Sequence, residues 1–182
     1  MKNFSDYPEF TPNISPKEVF ALGAFGGTYF RPIYSSITDK KYTSASVIKE
    51  YPESWWNGIT IETMVTSSKY DKKINKYGVT CGSSLQDWED NNWIKPQDPY
   101  GWFQWYCRFY RGIRTSDDRR QIDRWLKLGG PNGRFRRRLM NMILDKKKNY
   151  NDKSVSPVIR QVLLHWGYEL TSEDLQKYKK SR

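Results

Sequence analysis

The chain has 182 residues, 31 Lys or Arg against 20 Asp or Glu, a formal net charge of +11, and 16% aromatic content. That length suits one domain burying roughly 70% of its unfolded surface, and the rings alone supply a core, which excludes collagenous and wholly disordered classes. No apolar run approaches the ~18 residues of a membrane span, and the start, MKNFSDYPEF, has no signal-peptide core, so an intracellular location, nuclear or cytoplasmic, is expected.

The first ten residues read as a loose polar arm. Ser15-Pro16-Lys17-Glu18 is a capping box that predicts a short helix ending near Leu22, stopped by Gly23. Residues 1–24 are therefore taken as an arm with a short helix, and 25–182 as a single globular domain, mixed over 25–82 and helical over 83–182. In GAFGGTYFRPIYS, glycines mix with aromatic and β-branched residues, and Pro32 confines the segment to an edge strand or an irregular loop. Pro52 opens a turn of helix carrying Trp55 and Trp56. Ile59 to Val65 alternates as a strand would, and Lys69 to Lys76 reads as a solvated loop.

Helix punctuation sharpens after Ser83. Ser83 or Ser84 caps a short helix holding Leu85 and Trp88, and Asp98-Pro99 opens another that ends near Gly112. Ser116, followed by Asp117 and Asp118, starts a third, which Gly129-Gly130-Pro131 stops. Asn132-Gly133 leads into a fourth, running to about Lys147. Ser156-Pro157 caps a fifth ending at Gly167, and Thr171 with Asp174 caps a last one, from Ser172 to about Lys179. The expected fold is mainly α (α+β), a compact helical C-terminal half with a small mixed strand and loop part packed on it.

The cysteines, Cys81 and Cys107, have no second Cys or His at ligand spacing, so no metal site is expected and both read as free, partly buried thiols. A Cys nucleophile activated by His165, the single histidine, would need the fold to bring the two together. No phosphate-binding loop, dinucleotide fingerprint, nucleophile elbow or zinc-deaminase signature is present, and no cofactor is expected.

Charge is unevenly placed. Residues 1–107 hold 11 basic and 12 acidic side chains, whereas residues 108–182 hold 20 and 8, a net of +12. Twelve of the thirteen arginines lie in the second part, Arg31 being the exception. Arginine suits bidentate contact with phosphate and stacking on rings, so the segregation points to a polyanion-binding face.

Asp98 to Gly112, DPYGWFQWYCRFYRG, is apolar nearly all round, which ordinarily means burial at the centre of a domain. Its one polar stripe is Gly101, Gln104, Arg108 and Arg111. The functional alternative is an aromatic pocket formed by Trp102, Trp105 and Tyr106, where a flat base stacks and Arg108 or Gln104 reads its edge. In the next helix Ile122, Trp125 and Leu126 face inward, leaving Arg120, Asp123, Arg124 and Lys127 outside. After LGGPNG, Phe135, Leu139, Met142 and Ile143 point to the core, opposite Arg134, Arg137 and Arg138. That hairpin places amides, a helix start and guanidinium groups together, a suitable seat for phosphate. His165, four residues after Gln161 in an apolar helix, reads as a hydrogen-bonded boundary residue rather than a catalyst.

The leading expectation is a nucleic-acid-binding protein, for DNA or RNA, contacting phosphates through Arg108, Arg111, Arg119, Arg120, Arg124, Arg134, Arg136, Arg137 and Arg138. A second reading is an enzyme on nucleic acid, a carboxylate-dependent nuclease or a base-excising type, using Glu89, Asp90, Asp118 or His165. A third is a structural or packaging protein with a protein partner. The blocks FGGTYFRPIYS, YGVTCGSSL, DPYGWFQWYCRFYRG, DDRRQIDRW, GPNGRFRRRL and SPVIRQVLLHWGYEL resemble an uncharacterised tryptophan-rich family of large DNA viruses, fungi and algae. The likeness runs from about Phe25 to Leu170 and implies an intracellular, virion-associated role, with no site residue attached.

Overall fold

The structure, a computed structural model, describes residues 3–182. The first half of the chain contributes α1 (Pro16–Ala21), β1 (Ile33–Ser35), β2 (Lys40–Tyr42), α2 (Ser44–Ile48) and α3 (Ile61–Met64). The second contributes α4 (Leu85–Asp90), α5 (Trp102–Tyr110), α6 (Asp118–Leu128), α7 (Arg134–Asp145), α8 (Pro157–His165) and α9 (Ser172–Ser181). The molecule is mainly α with one small antiparallel hairpin, in which Ile33 pairs with Tyr42 and Ser35 with Lys40.

Local chemistry sets most helix starts. Ser15 accepts from the Glu18 amide while the Glu18 carboxylate accepts from Ser15, and Ser84 and Asp87 repeat the device at α4. Thr171 caps α9 by accepting from Asp174. Three expected caps differ. Gly101, not Asp98, precedes α5, and Asp117, not Ser116, precedes α6. Ser156 precedes α8 in a left-handed conformation without a side-chain bond. The Asp118 carboxylate instead reaches back to the Thr115 amide.

Ile59 to Val65 does not form a strand. Ile61 to Met64 is one helical turn, with the Met64 amide donating to Thr60. Over so short a run, Ile61 with Met64 and Val65 fits a helical spacing as well as alternation does, so periodicity could not separate the two.

The aromatic helix α5 is the axis of the larger core, with Phe103, Trp105, Tyr106, Cys107 and Phe109 all buried. The expected loose arm packs against it. Phe10 is buried, and its ring lies 5.1–6.4 Å from those of Trp102, Trp105, Tyr106, Phe109 and Trp125. Such ring pairs add ~0.5–1.5 kcal/mol each beyond the area they bury. Asn13 completes the attachment: its side-chain amide donates to the Glu169 carbonyl at 2.7 Å and accepts from the Glu169 amide at 2.8 Å. A smaller core joins α7, α8 and α9 through Leu139, Ile143, Val155, Leu163 and Tyr168.

The α6–α7 hairpin is close because of its glycines. A Cβ on Gly133 would stand 2.6 Å from the Leu128 carbonyl, and one on Gly130 would stand 2.8 Å from that of Leu126. Only hydrogen fits at either place, which lets the end of α6 and the start of α7 meet beside α8.

Candidate functional site

A cleft of about 580 Å³ opens where α4, α5, α6, α7 and α8 converge. Rings from separate parts of the chain wall it: Trp88, Trp93, Trp102, Phe135 and Trp166. Trp102 and Trp166 touch, with centroids 4.6 Å apart. Trp93 is the most open of them, 40% exposed, so it stands at the mouth.

Three cations share this lining, Arg124 and Lys127 from α6 and Arg134 from α7, and no Asp or Glu does. The spacing on α6 explains the first two: positions 124 and 127 lie on one face while Ile122 and Trp125 turn into the core. The glycine hairpin brings Arg134 alongside. Arg124 hydrogen-bonds to Gln121 at 2.9 Å and to the Trp93 carbonyl at 3.4 Å, both neutral acceptors. Its guanidinium lies 5.7 Å from the ring centroids of both Trp93 and Trp166. Burial, with the like charge of Arg120, lowers its pKa to about 10 against the partial relief of Asp117. It remains charged at neutral pH and makes no ion pair among the described residues. Arg134 lies over Phe135 at 4.9 Å.

The indole N–H of Trp102 donates to the Gln121 carbonyl. Those of Trp88, Trp93 and Trp166 make no hydrogen bond among the described residues. The lining therefore combines rings with the cationic donors of Arg124, Lys127 and Arg134, the pattern that receives a flat, acceptor-rich anion.

His165 forms part of the floor, stacked on Phe25 with centroids 4.4 Å apart and planes 17° apart. Its Nε2 lies 2.7 Å from the Ala24 carbonyl oxygen. Two lone pairs would repel at that distance, so Nε2 carries the proton and Nδ1 is an acceptor. Burial lowers the imidazole pKa to about 4, partly offset by the Ala24 bond, so the ring is neutral at pH 7. The fold does bring a cysteine to it: Cys81 Sγ stands 3.8 Å from Nε2. Because that nitrogen is already a donor, it cannot take the thiol proton. Burial meanwhile pushes the Cys81 thiol up to about 12, which leaves no activated nucleophile.

Of the expected pocket rings, only Trp102 lines the cleft. Trp105 and Tyr106 are core residues, 2% and 1% exposed, occupied by bonds to Asp118 and to the Ile14 carbonyl. Apart from Gly101, which lines the cleft, the polar stripe preceding and along α5 faces elsewhere. Gln104 is buried and accepts from the Tyr100 amide, while Arg108 pairs with Asp98 at 2.8 Å and Glu50 at 2.6 Å.

The nine expected arginines divide into three groups. Arg124, Arg134, Arg137 and Arg138 carry no ion pair among the described residues, and the last three are exposed on α7. Arg108, Arg111, Arg119 and Arg120 are engaged by the protein itself. Arg119 pairs with Glu9 and Asp123, Arg120 with Asp117, and Arg111 donates to the Glu50 carbonyl. Arg136 is a correction: it is buried, pairs with Asp174 at 2.6 Å, and lies over the Tyr168 ring, so it offers nothing to an outside phosphate. Helical spacing puts it on the inner side of α7, where an arginine is tolerated only because Asp174 waits there.

The hairpin amides are also corrected. Gly129 and Gly130 both donate to Trp125, and Gly133 donates to Gly130, so these three are not free for phosphate. The carboxylates weighed for catalysis do not converge. Glu89 accepts from the Ser36 amide and hydroxyl, tying α4 to the residue after β1, and Asp90 accepts from Gln86. Asp118 holds Trp105 and Thr115. Among the described residues, no group of three or more His, Cys, Asp and Glu side chains could hold a metal ion.

Sequence reasoning missed Trp93, Trp166 and Lys127 as wall residues. In sequence Trp88 sits in a short capped helix, and Trp93 and Trp166 lie in distant segments, with no local signal that the three meet. The chain matches no protein-family model, no curated protein and no solved structure.

Proposed function

We propose that this protein binds single-stranded nucleic acid, with one base stacked in the cleft and the backbone led along the exposed arginines of α7. The observation that carries the reading is the cleft lining, aromatic walls with Arg124, Lys127 and Arg134 and no carboxylate. Base stacking on such rings is worth ~1–3 kcal/mol per base and tolerates any sequence, because every base has a π-face. Phosphate contacts add affinity that falls with salt. Single strands are favoured over duplex because a base must leave its stack to enter a walled cleft. Arg137 and Arg138, one turn along α7 from Arg134, extend the cationic track.

The nuclease reading has less support, since Glu89 and Asp118 are engaged in structural hydrogen bonds. The test is fluorescence anisotropy of labelled single- and double-stranded oligonucleotides at two salt concentrations, with tryptophan emission followed in parallel. Salt-sensitive single-strand binding in the micromolar range or tighter, accompanied by quenching, is expected. Absence of binding at low salt, or binding that leaves tryptophan emission unchanged, overturns the proposal.

A further inference from the structure

Beside the cleft lies a second, smaller space of about 270 Å³. The two share Phe25, Tyr29, Trp88, Tyr100 and His165 as a common wall, and the exposed pair Gly82–Ser83 forms a rim between them. Gly82 has no side chain to close that rim and sits in the left-handed region, at φ +91°.

The chemistry of the smaller space differs from that of the cleft. Thr28, Ser68, Ser83 and Ser84 line it, as does Arg31. Arg31 is the one arginine in the first 107 residues, set apart from the basic half. Among the described residues its guanidinium donates only to the Thr28 carbonyl, at 3.1 Å, and no Asp or Glu lines the space. With a guanidinium and hydroxyl-bearing residues in its lining, this space suits a phosphate and sugar rather than a second stacked base.

We infer that the site takes two consecutive nucleotides of one strand, the first base in the aromatic cleft and the phosphate on its 3′ side on Arg31 across the Gly82–Ser83 rim. This rests on the reading of the cleft as a single-strand site and adds a length and a polarity to it. Arg31 is then a binding residue, its fork matching the phosphate oxygens. The backbone carbonyl of Arg31, which accepts from the Tyr100 hydroxyl, is kept by any substitution.

Tryptophan quenching by thymidine 5′-monophosphate and by 5′-phosphorylated dithymidylate tests it, in wild type, Arg31→Ala and Arg31→Lys. The dinucleotide should bind wild type about tenfold tighter than the mononucleotide. Arg31→Ala should lose that gain, with an unchanged thermal unfolding midpoint reporting an intact fold. Arg31→Lys should retain part of the gain. If the mononucleotide quenches but the dinucleotide is no tighter, or if the gain survives in Arg31→Ala, the two-nucleotide site is wrong while the cleft reading stands. If neither ligand quenches, both fall.

Discussion

His165 Nε2 and the Ala24 carbonyl oxygen, 2.7 Å apart, bind the start of the glycine-rich loop to the end of α8 and fix which imidazole nitrogen bears the proton. The ring is held neutral in the fold, with a pKa of about 4 against the ordinary 6.5. As pH falls through that interval the unfolded chain takes up a proton that the folded chain resists. Stability is therefore complete above the ordinary value and declines towards the lower one, by about 3 kcal/mol. Urea unfolding at pH 7 and near pH 4.5 should show this loss, and His165→Gln should flatten its share of the slope. A variant that tracks wild type at both pH values would refute the assignment.

Phe10 meets six rings of the core, Phe4 and five on α5 and α6, so its removal leaves a cavity that rigid aromatic neighbours cannot fill. Phe10→Ala should cost ~3–5 kcal/mol in chemical denaturation, and Phe10→Leu distinctly less. A loss under ~1 kcal/mol would mean that the segment before Ile14 is not part of the cooperative core.

Arg136 and Arg137 are adjacent in sequence and opposite in role. Arg136→Ala leaves the Asp174 carboxylate without its partner beside Tyr168 and should destabilise by ~3–5 kcal/mol. Arg137→Ala and Arg138→Ala should stay within ~0.5 kcal/mol of wild type in stability. On the proposed function, each should instead weaken oligonucleotide binding and lower the salt slope by ~0.7. Equal stability losses at all three positions would contradict this division.

Trp93 stands at the cleft mouth without an indole hydrogen bond among the described residues. Trp93→Ala should leave the unfolding midpoint nearly unchanged while lowering single-strand affinity by ~1–3 kcal/mol, the worth of one stacked base. Retained affinity would move the base elsewhere.

How much of this was legible beforehand follows from the range of the interactions involved. Ser15 with Glu18 and Thr171 with Asp174 are three apart, so their helix starts could be read directly. The burial of α5 followed from rings on every side of a short helix. Long-range relations were not readable. Asp98 looks like a cap in sequence, yet its carboxylate serves Arg108, and Arg136 looks like surface charge until Asp174 is placed beside it. Acids of the near-neutral half, Asp6, Glu9, Glu50 and Asp98, neutralise arginines of the basic half. The net charge of a segment thus overstated its free charge. The cleft was hidden for the same reason, since its walls come from five helices and the turns between them.

The pairing of Asn13 with Glu169 spans 156 positions, and, Phe4 apart, the rings that receive Phe10 begin at Trp102. At ribosomal rates of ~5–20 residues per second, the early phenylalanines emerge several seconds before α5 and about 8–30 s before α8 is complete. During synthesis they remain solvent-exposed on a nascent chain whose core is unfinished, a natural client for a holding chaperone. A ribosome-arrested chain ending before α8 should accordingly be cut readily by added protease, and release of the finished chain should abolish that sensitivity.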